Sequence, residues 1–99
     1  MPGLAGKVAL VIGNGTTEHR AVAVALAQAG ADIAVAGNEG VQEVLLHSIA
    51  NEIWALGRRS LVAGFVAGDP WTFANAAGKA IDELGKADLV VRVEPVLGA

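Results

Sequence analysis

The segment of residues 7–30 constrains the fold of this chain more than any other part of the sequence. It begins with an uninterrupted apolar run at residues 8–12, which is too short for a helix and rich in β-branched side chains. Such a run is typical of a strand that is buried on both faces. Residues 13–15 form a glycine-containing turn, and Thr16, Thr17 and Glu18 then supply N-cap candidates and an acidic residue, as a helix start does. Apolar residues at helical spacing predict a helix over residues 21–29 that ends at Gly30. The segment therefore predicts a strand, a turn and a helix in succession.

The rest of the chain repeats this alternation. Further strands are predicted at residues 32–36, 60–66 and 87–93, and further helices at residues 41–56 and 70–84. Strands and helices of these lengths, joined by short connections, predict an α/β fold with a parallel sheet and right-handed crossovers. We expect about four strands in the order 3-2-1-4, with the first two helices on one face and the third on the other. Since no linker or repeat interrupts the pattern, residues 1–99 are predicted to form a single domain.

The composition narrows the classes of protein to which the chain can belong. Hydrophobic residues make up 54% of the sequence, yet charges or glycines break each apolar run before the roughly 20 residues that a membrane span requires. The start of the chain does not resemble a signal peptide, and a net charge of −3 argues against a nucleic-acid surface. There is no cysteine, and the two histidines lack companion metal ligands. We therefore expect a cytoplasmic domain without membrane, nucleic-acid or metal partners.

Helical periodicity also predicts which side chains pack against the sheet. Those of the first helix are Val22, Ala25, Leu26 and Ala29, and those of the second include Val44, Leu45 and Leu56. Trp54 and Trp71 are expected to be packing residues as well. Arg58 and Arg59 follow the second helix, where their positive charge would complement its dipole.

The fourth strand is predicted to be an edge of the sheet, yet its residues are nearly all apolar. Arg92 is its one charged residue after Asp88. Soluble proteins usually cover or charge such an edge, because an exposed apolar edge pairs with other chains. The sequence therefore suggests that the chain is the N-terminal half of a larger sheet, or that a partner such as a second copy covers this edge.

The glycine turn is the predicted functional site. In a parallel α/β sheet, a nucleotide pyrophosphate docks at such a turn, on free N–H groups and the positive end of the helix. The predicted binding residues are Gly13, Asn14, Gly15, Thr16, Thr17 and His19, together with Asn38 after the second strand. Glu18 has two interpretations: it stabilises the helix start by about 0.5 kcal/mol, or it repels a pyrophosphate.

Much of the chain resembles the short-chain dehydrogenase/reductase family. The similarity lies in the opening at residues 4–11, the helix and strand at residues 21–35, the helix end at residues 51–57 and the approach to the fourth strand at residues 83–91. The resemblance implies the N-terminal half of a Rossmann fold, truncated relative to the full family fold. It also implies an NAD or NADP cofactor and hydride transfer to or from a carbonyl or alcohol.

The functional motifs of the family are altered in this sequence. Of the three glycines in the family's phosphate turn only Gly13 matches, because Thr17 and His19 occupy the other two positions and Ile12 replaces the preceding threonine. The turn is more similar to that of the enoyl reductases, a divergent branch in which His19 would replace a serine. A turn without the usual glycines therefore does not exclude cofactor binding.

Other family positions are altered too. Gly37 and Asn38 stand where a charged residue would distinguish NAD from NADP, and Val66 stands where the family has an aspartate near the adenine. Residues 92–95 replace the family's Asn-Asn-Ala-Gly motif. The family's proton donor is a tyrosine, and this sequence contains none. Two hypotheses follow: a cofactor-binding part of an oxidoreductase that lacks catalytic residues, or a non-catalytic remnant that acts in oligomerisation or protein interaction.

Overall fold

The computed structural model describes residues 3–94. The strands are β1 (Val8–Gly13), β2 (Asp32–Asn38), β3 (Ser60–Val66) and β4 (Leu89–Arg92), and the helices are α1 (Thr17–Gln28), α2 (Glu43–Ala55) and α3 (Pro70–Leu84). The strands form one parallel sheet in the order β3-β2-β1-β4. The predicted fold class and strand order are therefore confirmed.

The central strand β1 carries a different hydrophobic core on each of its faces. Ala9 and Val11 pack with α1 and α2, whereas Val8, Leu10 and Ile12 pack with α3. Every residue of β1 is buried, which explains why its sequence is a continuous apolar run rather than an alternating one. Two helices on one face and one on the other is the predicted arrangement.

Strand β3 contains a bulge at the position where its sequence has a glycine. Val62 pairs with Val35 but Gly64 pairs with Ala36, so that Ala63 is the extra residue. Gly64 has a φ of +90°, a conformation that side chains disfavour. The glycine is therefore required by the bulge, which also twists this edge strand away from regular pairing.

Several element boundaries differ from the prediction, most clearly those of α1 and β4. Helix α1 begins at Thr17, four residues before its predicted apolar stretch, and the predicted N-cap candidate Thr16 caps it, because its hydroxyl accepts a hydrogen bond from the His19 N–H at 3.3 Å. Strand β4 is limited to Leu89–Arg92, since Asp88 turns its carboxylate to the Val8 N–H at 2.8 Å. The Asp69-Pro70 pair is a typical helix start and predicts the cap of α3, which is confirmed because Asp69 accepts from the Trp71 and Thr72 amides.

Several predicted packing residues are exposed. Ala25, Val44, Leu45 and Leu56 face solvent, whereas Ala23, Ala27, Leu46 and Ala50 pack inside. The predicted stripes were right in part, because Val22 and Leu26 pack against the core. For the exposed residues the prediction was wrong, because these helices carry apolar residues on more than one side. Trp54 and Trp71 are 70% and 76% exposed, so their predicted packing role was wrong.

The prediction for Arg59 was also wrong. Its Nε donates to the Asp32 carboxylate at 2.9 Å and its Nη2 donates to the Leu84 carbonyl at 3.3 Å. It therefore joins the start of β2 to the C-terminal end of α3, rather than complementing the end of α2. Within the described part of the chain, no helix is long and apolar enough to cross a membrane.

Candidate functional site

The glycine turn lies at the carboxyl end of β1, next to the carboxyl end of β2. Gly13 pairs with Gly37 in the sheet, so the residues that follow each of them are brought together. The Asn38 side-chain amide donates to the Asn14 side-chain oxygen at 2.7 Å. The structure thus places the predicted residue of the second strand directly beside the predicted turn, which is where ligands bind in open α/β sheets.

His19 is completely buried beneath this turn, with 0% of its surface exposed. Its Nδ1 accepts a hydrogen bond from the Gly15 N–H at 3.0 Å, and its Nε2 lies 3.1 Å from the Val11 carbonyl oxygen. These two partners require the neutral imidazole with its proton on Nε2. Burial lowers the pKa of His19 below its ordinary value, although the hydrogen bond to Val11 acts in the opposite direction.

The glycines around the turn are required by close neighbours. A Cβ on Gly13 would lie 2.6 Å from Cγ of the His19 ring. Gly15 has a φ of +72°, and a Cβ there would lie 2.7 Å from Cβ of Leu45 on α2. A Cβ on Gly37 would lie 2.9 Å from Cδ1 of Leu46. The turn is therefore packed tightly between β1, α1 and the first part of α2.

The start of α1 is exposed. Thr16, Thr17 and Glu18 are all accessible, and the amides of the first helical turn carry the positive end of the helix dipole. Arg20 does not reach back to the turn: its guanidinium donates to the Glu52 carboxylate at 2.6 Å and to the Ser48 hydroxyl at 2.9 Å, both on α2. Glu18 adds negative charge to this surface, so the groups that could donate to an anion are the helix amides and the threonine hydroxyls.

The predicted site residues therefore fall into three groups. Asn14, Thr16, Thr17 and Asn38 have accessible surface at the turn, and Gly13 and Gly15 allow its tight packing. His19 has its side chain inside the turn rather than on its surface. Leu45, a predicted packing residue of α2, packs over Gly15 although its side chain is partly exposed. Helical periodicity gave no signal that its partner would be the turn rather than the sheet.

Two cavities lie away from the turn. One of about 380 Å³ is beside the outer edge of β3, where Trp54 and Lys79 are among its lining residues. A second of about 150 Å³ adjoins it at Trp54, with Arg58 and Arg59 in its wall. Neither contacts a predicted site residue, so the candidate site is an open surface at the helix start.

Comparison with known proteins shows what the chain is similar to. No protein-family model matches it. It is 38% identical over 85 residues to an uncharacterized oxidoreductase of Mycobacterium tuberculosis, covering 86% of this chain and 31% of the relative. It is 38% identical over 88 residues to an L-rhamnose 1-dehydrogenase (NAD(P)(+)) of Sphingomonas sp., covering 89% of this chain and 34% of the relative. The chain thus spans about a third of the length of the curated relatives that it matches.

Solved structures of short-chain dehydrogenases have a similar fold. A short chain dehydrogenase from Burkholderia cenocepacia, solved in complex with NADP, superposes with a TM-score of 0.74 at 29% identity, over 97% of this chain and 38% of that protein. The sequence comparison thus finds oxidoreductases, and the structure comparison finds short-chain dehydrogenases, which are oxidoreductases as well.

Proposed function

We propose that this chain, which sequence and fold similarity relate to the short-chain dehydrogenases/reductases, is the dinucleotide-binding part of an NAD(P)-dependent oxidoreductase. The observation that carries the proposal is the turn itself: the exposed start of α1 follows β1 directly and lies beside Asn38 at the end of β2. A pyrophosphate at this place would accept hydrogen bonds from the first helix amides and from Thr16 and Thr17. Asn14 and Asn38 would face the adenosine ribose.

The chain's own contribution to the reaction is binding and orientation. NAD or NADP, when bound, supplies or accepts the hydride, and Asn38 offers a neutral amide where a carboxylate or a cation would select one cofactor. No tyrosine is present in the sequence. The proton donor of the family mechanism therefore has no counterpart here, and we expect residues 1–99 to bind the cofactor without turning it over. The cytoplasmic location and the single domain stay predictions.

The test is calorimetric titration of residues 1–99 with NADH and NADPH. We expect weak binding of both, and absence of heat at millimolar cofactor would contradict the proposal. Asn38→Asp should shift the preference towards NADH by tenfold or more, because a carboxylate accepts from the ribose hydroxyls and repels a 2′-phosphate. Asn51→Asp, on an exposed part of α2, is the matched control and should leave the preference unchanged.

A second candidate function is an assembly module, and β4 favours it. Within residues 3–94 this strand pairs with β1 alone, and Val90 on it is 46% exposed. A second copy of the chain, or the remainder of a longer protein, would cover this edge by strand pairing. The mass of residues 1–99 in solution as a function of concentration distinguishes self-association from a free edge.

A further inference from the structure

His19 lies inside the glycine turn, and its side chain accepts a hydrogen bond from one of the turn's own backbone N–H groups. The Gly15 N–H points at Nδ1 of His19 and not at solvent. In a turn that cradles a phosphate, such an amide is a donor for the ligand. The ring of His19 also contacts Gly13 and bonds to the Val11 carbonyl, so it is held from three sides.

We propose that His19 is a positioning residue that gates the dinucleotide site: neutral His19 closes the turn by occupying the Gly15 N–H, and protonated His19 releases it to the pyrophosphate. The inference rests on the proposed function, because it concerns the same site. Protonation of Nδ1 has two effects. Nδ1 changes from acceptor to donor and opposes the Gly15 N–H, and the imidazolium adds a positive charge that attracts the ligand.

The charged groups on the elements around His19 are exposed or bonded elsewhere, so they do not control the Gly15 N–H. Strand β1, against which the ring packs, contains no titratable residue. On α1, Glu18 is exposed and Arg20 is bonded to Glu52 of α2. On β4, Arg92 lies over the Phe73 ring of α3, on the opposite face of the sheet from α1. The imidazole of His19 is thus the titratable group of the described residues that is bonded to the turn.

The gate predicts that cofactor binding takes up a proton. Between the pKa of His19 in the free protein and its higher value beside a pyrophosphate, the affinity should rise up to about tenfold for each unit by which the pH falls. A turn in which His19 has a purely structural role would show no such dependence. The pH profile of binding therefore separates the two roles.

The experiment is calorimetric titration with NAD⁺, which lacks the titrating 2′-phosphate of NADP⁺, between pH 5.5 and 8. The natural protein should bind more tightly as the pH falls. His19→Asn keeps an acceptor for the Gly15 N–H but does not titrate, so its binding should be weak and independent of pH. His19→Gly frees the amide, so it should bind at every pH at least as tightly as the natural protein at pH 8. His47→Asn, at the exposed histidine of α2, should keep the natural pH profile.

A readout without cofactor comes from NMR of the natural protein. The Gly15 amide proton should shift with the same midpoint as the ring nitrogens of His19, and a Gly15 signal indifferent to that titration would overturn the gate. If His19→Gly binds NAD⁺ while the natural protein and His19→Asn share one pH profile, the gate is wrong and the proposed function stands. If neither the natural protein nor His19→Gly binds NAD⁺ at any pH, the proposed function fails and the gate fails with it.

Discussion

At the scale of the residue, burial of His19 makes the stability of the fold depend on pH. Its pKa in the folded protein is below the unfolded value of about 6.5, so the unfolded chain binds more protons between these two values. The stabilisation by neutral His19 is therefore complete above pH 6.5 and is lost as the pH falls towards the folded pKa. We expect urea unfolding to show this loss as the pH falls below about 6.5.

Two variants isolate the contribution of His19 from that of the carboxylates. His19→Asn should lower the free energy of unfolding at pH 7.5 but show a smaller further loss at pH 5 than the natural protein. His47→Asn should keep the natural acid response, since His47 lies on the exposed side of α2. An equal acid response in the natural protein and His19→Asn would contradict this account.

Gly13 is needed because of its neighbour and not because of its backbone conformation. It does not have a positive φ, but a Cβ there would lie within 3 Å of three atoms of the His19 ring. Gly13→Ala should therefore lower the free energy of unfolding by about 1–3 kcal/mol, as overpacking in a core does.

Gly78 on α3 provides the matched control for Gly13. It is helical and a Cβ there meets nothing within 4 Å, so Gly78→Ala should raise the stability by up to about 1 kcal/mol. Both variants are measured by urea unfolding at pH 7.5. The double variant Gly13→Ala, His19→Ser removes the ring as well. In the His19→Ser background, Gly13→Ala should lower the free energy of unfolding less than it does in the natural protein. Equal costs in the two backgrounds would show that the ring is not the cause.

At the scale of the element, Asp32 and Arg59 join parts of the fold that are distant in sequence. The Asp32 carboxylate accepts from the Arg59 N–H and Nε at 2.9 Å each, and the guanidinium donates to the Leu84 carbonyl at the end of α3. Because Arg59 is more than half exposed, the ion pair is partly screened and its worth is modest. Asp32→Asn should lower the free energy of unfolding by about 1 kcal/mol. The difference should shrink in high salt.

Asp82→Asn, on the exposed side of α3, is the control for charge removal and should change the stability much less. Chemical unfolding at low and high salt measures both variants. A loss for Asp32→Asn that is the same at both salt concentrations would assign the effect to shape rather than to charge.

The elements were largely predictable, whereas the directions of their side chains were not. The apolar run of β1 and the Asp69-Pro70 helix start are local signals, and both predicted what the structure contains. The exposed faces of α1 and α2 could be read from periodicity only in part, since apolar residues such as Ala25 and Val44 also lie on their exposed sides. The contact of Arg59 with Leu84 depends on the packing of distant segments, which no local pattern contains.

The candidate site was also predictable in part. Its place between β1 and α1, and the proximity of Asn38, follow from the topology of a parallel sheet. The inward turn of His19 depends on a bond to Gly15 four residues earlier and on space beside Gly13. From the sequence alone, His19 was a residue that replaced a glycine, so its burial was not foreseeable. The predicted site residues themselves stay predictions until binding is measured.

At the scale of the whole molecule, the chain matches about a third of its relatives' length and has an apolar strand at one edge of its sheet. If that edge drives assembly of residues 1–99, the mass measured by light scattering should rise with concentration. Val90→Lys should keep the protein monomeric, because a lysine on an edge strand opposes pairing with another strand.

Val44→Lys tests whether the position of the charge matters or only its addition. Val44 is 66% exposed on α2 and is not part of the edge strand β4. Its substitution adds the same charge and removes the same apolar side chain as Val90→Lys does. We expect Val44→Lys to associate as the natural chain does. Association that both substitutions abolish would assign it to general hydrophobicity. A natural chain that is monomeric at all concentrations would contradict self-association through β4.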